Sequence, residues 1–319
     1  MEAVEKRTRD DSAEEQRAWY RHLLARAAGL TPLRTAIVHP VDENALLGAV
    51  EAAQAHLIVS VLVGPPARIR AVAEEKGVDL SGYTLLPTEH SQAAAETAVA
   101  LARAGEVEAL MKGSLHTDEL MRVVVAPGFG LHTGRRMSHV FVLDVPAYPR
   151  PLFVTDAALN ITPDLEAKRD IVQNAIDLAH VLGIEMPRVA ILSAIETVNP
   201  KLRSTVDAAA LSKMADRGQI TGGIVDGPLA LDNAVSQEAA SAKGITSPVA
   251  GQADILVVPD IEAGNLLVKQ MEYLAGAQLV GIVLGARVPI VLTSRADSPL
   301  AHMISCALAL LLTRSKRTT

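Results

Sequence analysis

Residues 289–298 gather, on one short stretch, side chains suited to holding an anion. Pro289 to Leu292 is an apolar run that fits a buried strand, and Thr293, Ser294, Arg295 and Asp297 follow at once. Pro299 then opens an apolar-rich stretch to Leu312 that reads as a helix. Proline suits a first helical turn because its missing N–H would be unpaired there anyway. The polar cluster therefore lies on a strand-to-helix turn, where free backbone N–H groups and the helix dipole attract negative charge. Arg295 adds a planar guanidinium whose forked donors match phosphate oxygens. The same spacing also admits a plainer role, with Asp297 or Ser298 capping the helix and Arg295 a surface charge.

Such a turn works only if other strands end beside it. Ligands of open α/β sheets bind beyond the carboxyl ends of the strands, so the polar residues that directly follow apolar runs are the next candidates. They are Lys112 with Gly113, Asp156, Ser193 and Glu196, Asp226, and Asp260, together with Ser294 and Arg295. Each aspartate has a second reading as a cap or turn former. The glycine-rich basic loop from Pro127 to Arg136 includes Arg135, and its glycines would let backbone approach a phosphate or simply make turns. It lacks the Gly-Lys-Ser/Thr ending of a P-loop. No Gly-x-Gly-x-x-Gly stands between a strand and a helix, and no Gly-x-Ser-x-Gly nucleophile elbow occurs.

Strands of four to eight apolar residues alternate with helical stretches along the chain, the pattern of βαβ units with mainly parallel sheets covered on both faces. Asp42 reads as the cap of a helix to Ala55, Gly105 as the stop of one from Ser91, and Thr162 with Pro163 as the start of a long amphipathic one. Asn233 to Lys243 reads as a single helix. The Pro-rich joint from Pro146 to Pro151 is the candidate crossing between a first domain, residues 1–150, and a second that begins at 151.

The chain has 319 residues, 49% of them hydrophobic and 21% charged, which suffices for two folded α/β domains. With 30 Lys and Arg against 36 Asp and Glu the net charge is −6, and aromatics are 3%. Both facts argue against nucleic acid as a partner. No apolar run is long enough to span a membrane, and the charged start has no secretory h-region. The single cysteine, Cys306, excludes a disulfide framework and fits a reducing cytoplasm; within an apolar helix it reads as a small buried hydrophobe. The nine histidines show no metal-ligand spacing, so no metal is expected.

Several segments resemble the phosphate acetyl/butyryl transferase family. They are Lys112-Gly113, Ser138 to Val140, Phe153 to Ala157, Asn160, Asn174 to His180, Lys213 to Gln219, Val225 to Ala230, Pro259 to Asn265 and Thr293 to Ser298. The likeness runs from about residue 35 to the C-terminus and leans towards the butyryl branch and the transferase part of hydratase-fused members. It implies reversible transfer of an acyl group between coenzyme A and inorganic phosphate. The expected partners are acyl-CoA, CoA, phosphate and acyl phosphate, with CoA as substrate and no further cofactor. It also implies two domains of the isocitrate/isopropylmalate dehydrogenase-like type with a cleft between them. Residues 289–319 would return to the first domain, leaving 151–288 as the second, and the protein would be a cytoplasmic homodimer. The Ser-Arg pair of the family matches Ser294 and Arg295. The acetyl branch also carries an aspartate seven residues beyond that serine, where this chain has Ala301. Asp297 is then the nearest acid that could serve as the base. Lys112, Gly113, Arg135, Asp226, Asp260 and Asn265 complete the expected substrate site.

Two other readings compete. A metal- and NAD-dependent hydroxy-acid dehydrogenase on the same fold would use Asp226 and Asp260 as metal ligands. A non-catalytic CoA-binding protein would account for Ala301.

Overall fold

The computed structural model describes residues 19–292 and 299–315. In chain order the elements are a helix over 19–27 (α1), β1 (Leu33–Val38), α2 (Glu43–Gln54), β2 (Ile58–Gly64), α3 (Pro66–Glu75), β3 (Thr84–Pro87), α4 (Ser91–Ala104), β4 (Ala109–Lys112) and α5 (Thr117–Val124). There follow β5 (Ser138–Asp144), β6 (Leu152–Thr155), α6 (Leu165–Val181), β7 (Arg188–Leu192), α7 (Arg203–Asp216), β8 (Ile224–Leu229), α8 (Leu231–Val235) and α9 (Gln237–Ala242). The chain closes with β9 (Ile255–Val257), α10 (Ile261–Ala275), β10 (Gln278–Leu284), β11 (Ile290–Val291) and α11 (Pro299–Ser315). The alternation of strand and helix expected from the sequence holds except where β5 runs to β6, α8 to α9 and β10 to β11, and the fold is α/β.

The chain forms two compact units, one discontinuous (Arg17–Arg135 with Val280–Thr319) and one built on the continuous stretch Arg136–Leu279. Both boundaries fall earlier than the expected crossings, the Pro146 to Pro151 joint and residue 289. The stretch from Pro146 to Pro151 instead connects β5 to β6, which pair antiparallel within the continuous unit. In the discontinuous unit the strand order is β3-β2-β1-β4-β11-β10. The β3–β2, β2–β1, β1–β4 and β4–β11 pairings are parallel, and only β11–β10 is antiparallel. In the continuous unit the order is β5-β6-β9-β7-β8, parallel from β6 onward.

Burial explains why these strands read as unbroken apolar runs. Five of the six residues of β1 are buried, and all four of β4 are. Helices α4 and α11 both pack on β1, and a strand covered by helices needs no polar face. Leu33, Ile37, Leu46, Leu62, Leu110 and Met111 are completely buried in the discontinuous unit. Leu143, Val154, Ala190, Leu256 and Val268 belong to the core of the continuous one. Cys306 lies buried on α11 with its thiol against the Met111 sulfur, 3.9 Å away, as a small hydrophobe should.

The caps decide where helices begin. Asp42 accepts from the Ala45 N–H at 2.9 Å, and α4 ends on Gly105 in a left-handed conformation, both as the sequence indicates. Thr162 does not cap α6. Asp164 does, accepting from the Ala167 N–H at 2.8 Å, so Pro163 precedes the cap instead of entering the first turn. The expected helix from Asn233 to Lys243 is two short helices. The Ser236 hydroxyl accepts from the Ala239 N–H at 3.2 Å and starts the second one afresh.

Candidate active site

Within the discontinuous unit, strand register brings several candidate groups to one rim. Val38 of β1 pairs with Lys112 of β4, and Met111 pairs with Val291 of β11. The carboxyl ends of all three strands therefore finish together. The segment that carries Ser294, Arg295 and Asp297 follows directly from the end of β11 and lies outside the described residues. The chain resumes at Pro299, the first residue of α11, as the sequence indicates.

Lys112 is buried, and its ammonium donates to the carbonyls of Gly113 at 3.2 Å and Leu115 at 3.3 Å. It thereby closes the turn that follows its own strand. Gly113 has no substitute there: a Cβ on it would stand 2.4 Å from the Val38 oxygen and 2.8 Å from the His39 oxygen. The backbone of the β4 turn lies flat on that of the β1 turn, with the Gly113 and Ser114 N–H groups donating to Val38 and His39, both at 2.9 Å. Arg135 is exposed at the end of the glycine-rich loop. Its N–H donates to the Thr133 hydroxyl at 3.1 Å, which in turn donates to the Gly285 carbonyl at 2.6 Å. The loop is thus anchored while the Arg135 side chain stays at the surface.

In the continuous unit the candidates take varied roles. Asp260 caps α10, accepting from the Ala263 N–H at 2.9 Å. Asn265 is exposed on the same helix. Asp226 does not follow its strand; it lies inside β8, half-buried, accepting from the Gly227 N–H at 2.9 Å. The strand runs on because Leu229 still pairs with Leu192 of β7. Ser193, beyond β7, shares a 2.8 Å hydrogen bond with Ser204. Glu196 accepts from Asn233 and from Lys243, and the Lys243 ammonium holds its carboxyl below the usual range. Among the described residues no group of three or more His, Cys, Asp and Glu is placed to hold a metal ion.

Asp156 organises a network that sequence reasoning did not assemble. One of its oxygens accepts from the N–H groups of Ala158 and Leu159, at 2.9 and 3.0 Å. The other accepts from the Asn160 side chain at 2.6 Å. Burial nevertheless holds the Asp156 carboxyl above its ordinary range. Asn160 passes the order on, its oxygen accepting from Arg136 Nε at 2.8 Å. Asn174 donates to the Arg136 carbonyl and to the Ser138 hydroxyl, both at 2.9 Å. The guanidinium fixed here is that of Arg136, the neighbour of the expected Arg135. The Asp156–Asn160 spacing was the legible signal; the Arg136 link spans two dozen residues and left none.

A family model described as "Phosphate acetyl/butaryl transferase" matches residues 88–310. The chain is 60% identical to a phosphate acetyltransferase of Rhizobium meliloti, over 93% of this chain and 94% of that protein. It is 43% identical to a phosphate butyryltransferase of Clostridium beijerinckii, over 91% and 96%. These identities do not carry the lean towards the butyryl branch. Among solved structures, a branched-chain phosphotransacylase from Enterococcus faecalis V583 superimposes with a TM-score of 0.75 at 31% identity, covering 88% of this chain and 99% of that one.

Proposed function

The chain belongs to the phosphate acetyl/butyryl transferase family, and from that premise we propose that it is a phosphate acyltransferase whose acyl group is acetyl before butyryl. The observation that carries the reading is the near full-length identity with a phosphate acetyltransferase. The reaction runs reversibly between acyl-CoA with phosphate and acyl phosphate with free CoA. In the direction that makes acyl-CoA, the CoA thiolate attacks the acyl carbonyl, the C–O bond to phosphate breaks, and phosphate leaves with the electron pair. A thiol with a pKa of about 8.5 is mostly protonated at neutral pH, so a positioned base gains rate.

Arg295 is assigned to the phosphoryl oxygens and Ser294 to the developing oxyanion, since fixed donors help most where charge grows in the transition state. Asp297 is assigned to the thiol proton, with a helix cap as its other role. Lys112 and Gly113 serve the phosphoryl end, supported by the shared rim of β4 and β11. Arg135, Asp226, Asp260 and Asn265 belong to the wider substrate site. The finer fold type, isocitrate/isopropylmalate dehydrogenase-like, belongs to the same proposal, as do a homodimer, a cytoplasmic setting and the absence of any cofactor beyond CoA as substrate. No described helix is long and apolar enough to cross a membrane.

The test is CoA-dependent phosphate release from acetyl and butyryl phosphate, run beside NAD reduction with hydroxy acids. Faster turnover of acetyl phosphate and no NAD reduction is the expected result. Turnover of neither acyl phosphate would remove the reading.

A further inference from the structure

The carboxyl end of β1 carries a histidine that the assigned chemistry does not use. His39 follows Val38 directly and has a φ of 58°, in the left-handed region that side chains other than glycine rarely adopt. Its ring is buried, the residue being 5% exposed, and its Nδ1 has no hydrogen-bond partner among the described residues. A buried, unpaired ring nitrogen and a left-handed backbone each cost free energy. Such costs persist where the surroundings over-determine them, and they cluster at functional sites.

The surroundings do over-determine His39. Its own N–H donates to the Val63 carbonyl at 2.7 Å, and its carbonyl accepts from the Val41 and Ser114 N–H groups at 3.0 and 2.9 Å. The β4 turn presses directly on it, since a Cβ at position 113 would stand 2.8 Å from the His39 oxygen. The position in the sheet is equally specific. The order β3-β2-β1-β4 means that the chain leaves β1 towards β2 on one side, while β4 lies on the other. That is a topological switch point, and the crevice beyond it is where open parallel sheets take their ligands. His39 and the Lys112–Gly113 turn stand on its two sides, joined by the Val38–Lys112 register.

We propose that His39 is a substrate-contacting residue of this enzyme, its Nδ1 donating a hydrogen bond to a phosphoryl oxygen held in the crevice beyond the carboxyl ends of β1 and β4. The proposal rests on the acyltransferase reading. It differs from the roles given to Arg295 and Lys112 in that the donor is uncharged. Burial, more than the neighbouring charges of Arg68, Glu119, His90 and Asp42, holds the His39 pKa below its ordinary value. The ring is then neutral at pH 7 and can give one N–H without adding a positive charge to the site.

Two variants and one titration test this. His39→Ala removes the donor, whereas His39→Asn offers an amide N–H and tolerates a left-handed backbone. In the alanine variant the KM for acetyl phosphate should rise about tenfold, the worth of one net hydrogen bond. The KM for CoA should stay within about twofold of wild type by the same measure. The asparagine variant should recover most of the loss. A merely structural histidine would lower the melting temperature and affect both substrates alike. In the unaltered protein, inorganic phosphate should shift the ring nitrogen resonances of His39. An unchanged KM for acetyl phosphate in a folded alanine variant, equal rises for both substrates, or no shift at saturating phosphate overturns the proposal. If the alanine variant does not fold, the phosphate titration decides alone. An inactive wild type would remove the acyltransferase reading itself, whereas an active wild type indifferent to His39 removes only this inference.

Discussion

Arg295 and lysine would carry the same charge but not the same geometry. A guanidinium presents two parallel donors to a phosphate, and an ammonium presents one rotating point charge. Arg295→Lys should therefore fare little better than Arg295→Ala. Both should lose on the order of 10²–10³ in kcat/KM with acyl phosphate, the usual effect of removing a donor aimed at developing charge. CoA should still bind in a direct titration; a lysine variant at wild-type rate would refute the forked contact. His139 offers a second test at this scale. It is buried in β5 against Phe141, with ring centroids 4.2 Å apart, and burial pushes its pKa down to about 3. The native state thus holds it neutral while the unfolded chain takes up a proton near pH 6.5. Its contribution to stability is complete above pH 6.5 and is lost as pH falls towards 3, by up to about 1.4 kcal/mol per pH unit. Urea midpoints measured across that window should fall less steeply in His139→Leu than in wild type.

Helices α6 and α7 are tied by a buried pair, Lys168 Nζ to Asp207 at 2.8 Å, with both side chains less than a tenth exposed. Lys168→Met would strand a buried carboxylate, a change that commonly costs about 3–5 kcal/mol. Arg203, 3.5 Å from the same oxygen and one turn away on α7, should hold the loss to the lower end. The double variant Lys168→Met with Asp207→Leu should regain most of it, because an apolar pair needs no compensation; denaturant unfolding of the three proteins decides. This pair also shows what sequence can and cannot convey about elements. The existence and type of the elements were legible, because apolar runs and caps such as Asp42 and Gly105 are local signals. The start of α6 was not, since Thr162 and Asp164 both have capping side chains and only the fold selects one. The Lys168–Asp207 pair and the Arg136–Asn160 link left no mark, because partners that meet through packing have no fixed spacing. Lys112 and Gly113 were legible as strand-end residues, whereas the strain that marks His39 is a backbone property hidden behind an apolar-looking run.

At the scale of the molecule, the discontinuous unit is closed by α11, and Cys306 reports on that closure. Its thiol is fully buried and its pKa is pushed up to about 12 by burial, so almost no thiolate exists at pH 8. A disulfide reagent should leave the native protein unlabelled on the timescale that labels a urea-unfolded control, and the slow native rate should measure opening of α11. Labelling at the rate of a free thiol would mean that α11 is not seated. The α/β class and the mainly parallel pairing were readable from the chain. The unit boundaries were not, because a Pro-rich connection looks alike whether it joins two domains or two antiparallel strands of one. The pairing of β4 with β11 has a further consequence, for the order in which the protein assembles during synthesis. Ile290 meets Leu110 only after the whole of Arg136–Leu279 has left the ribosome. Until then β4, buried along its full length in the finished protein, offers one bare edge to any passing strand. The continuous unit can complete itself first, and the nascent chain must carry that open edge for the time needed to make β5 through β10. Transient chaperone binding to ribosome-held chains should therefore centre on β4 and end when β11 emerges.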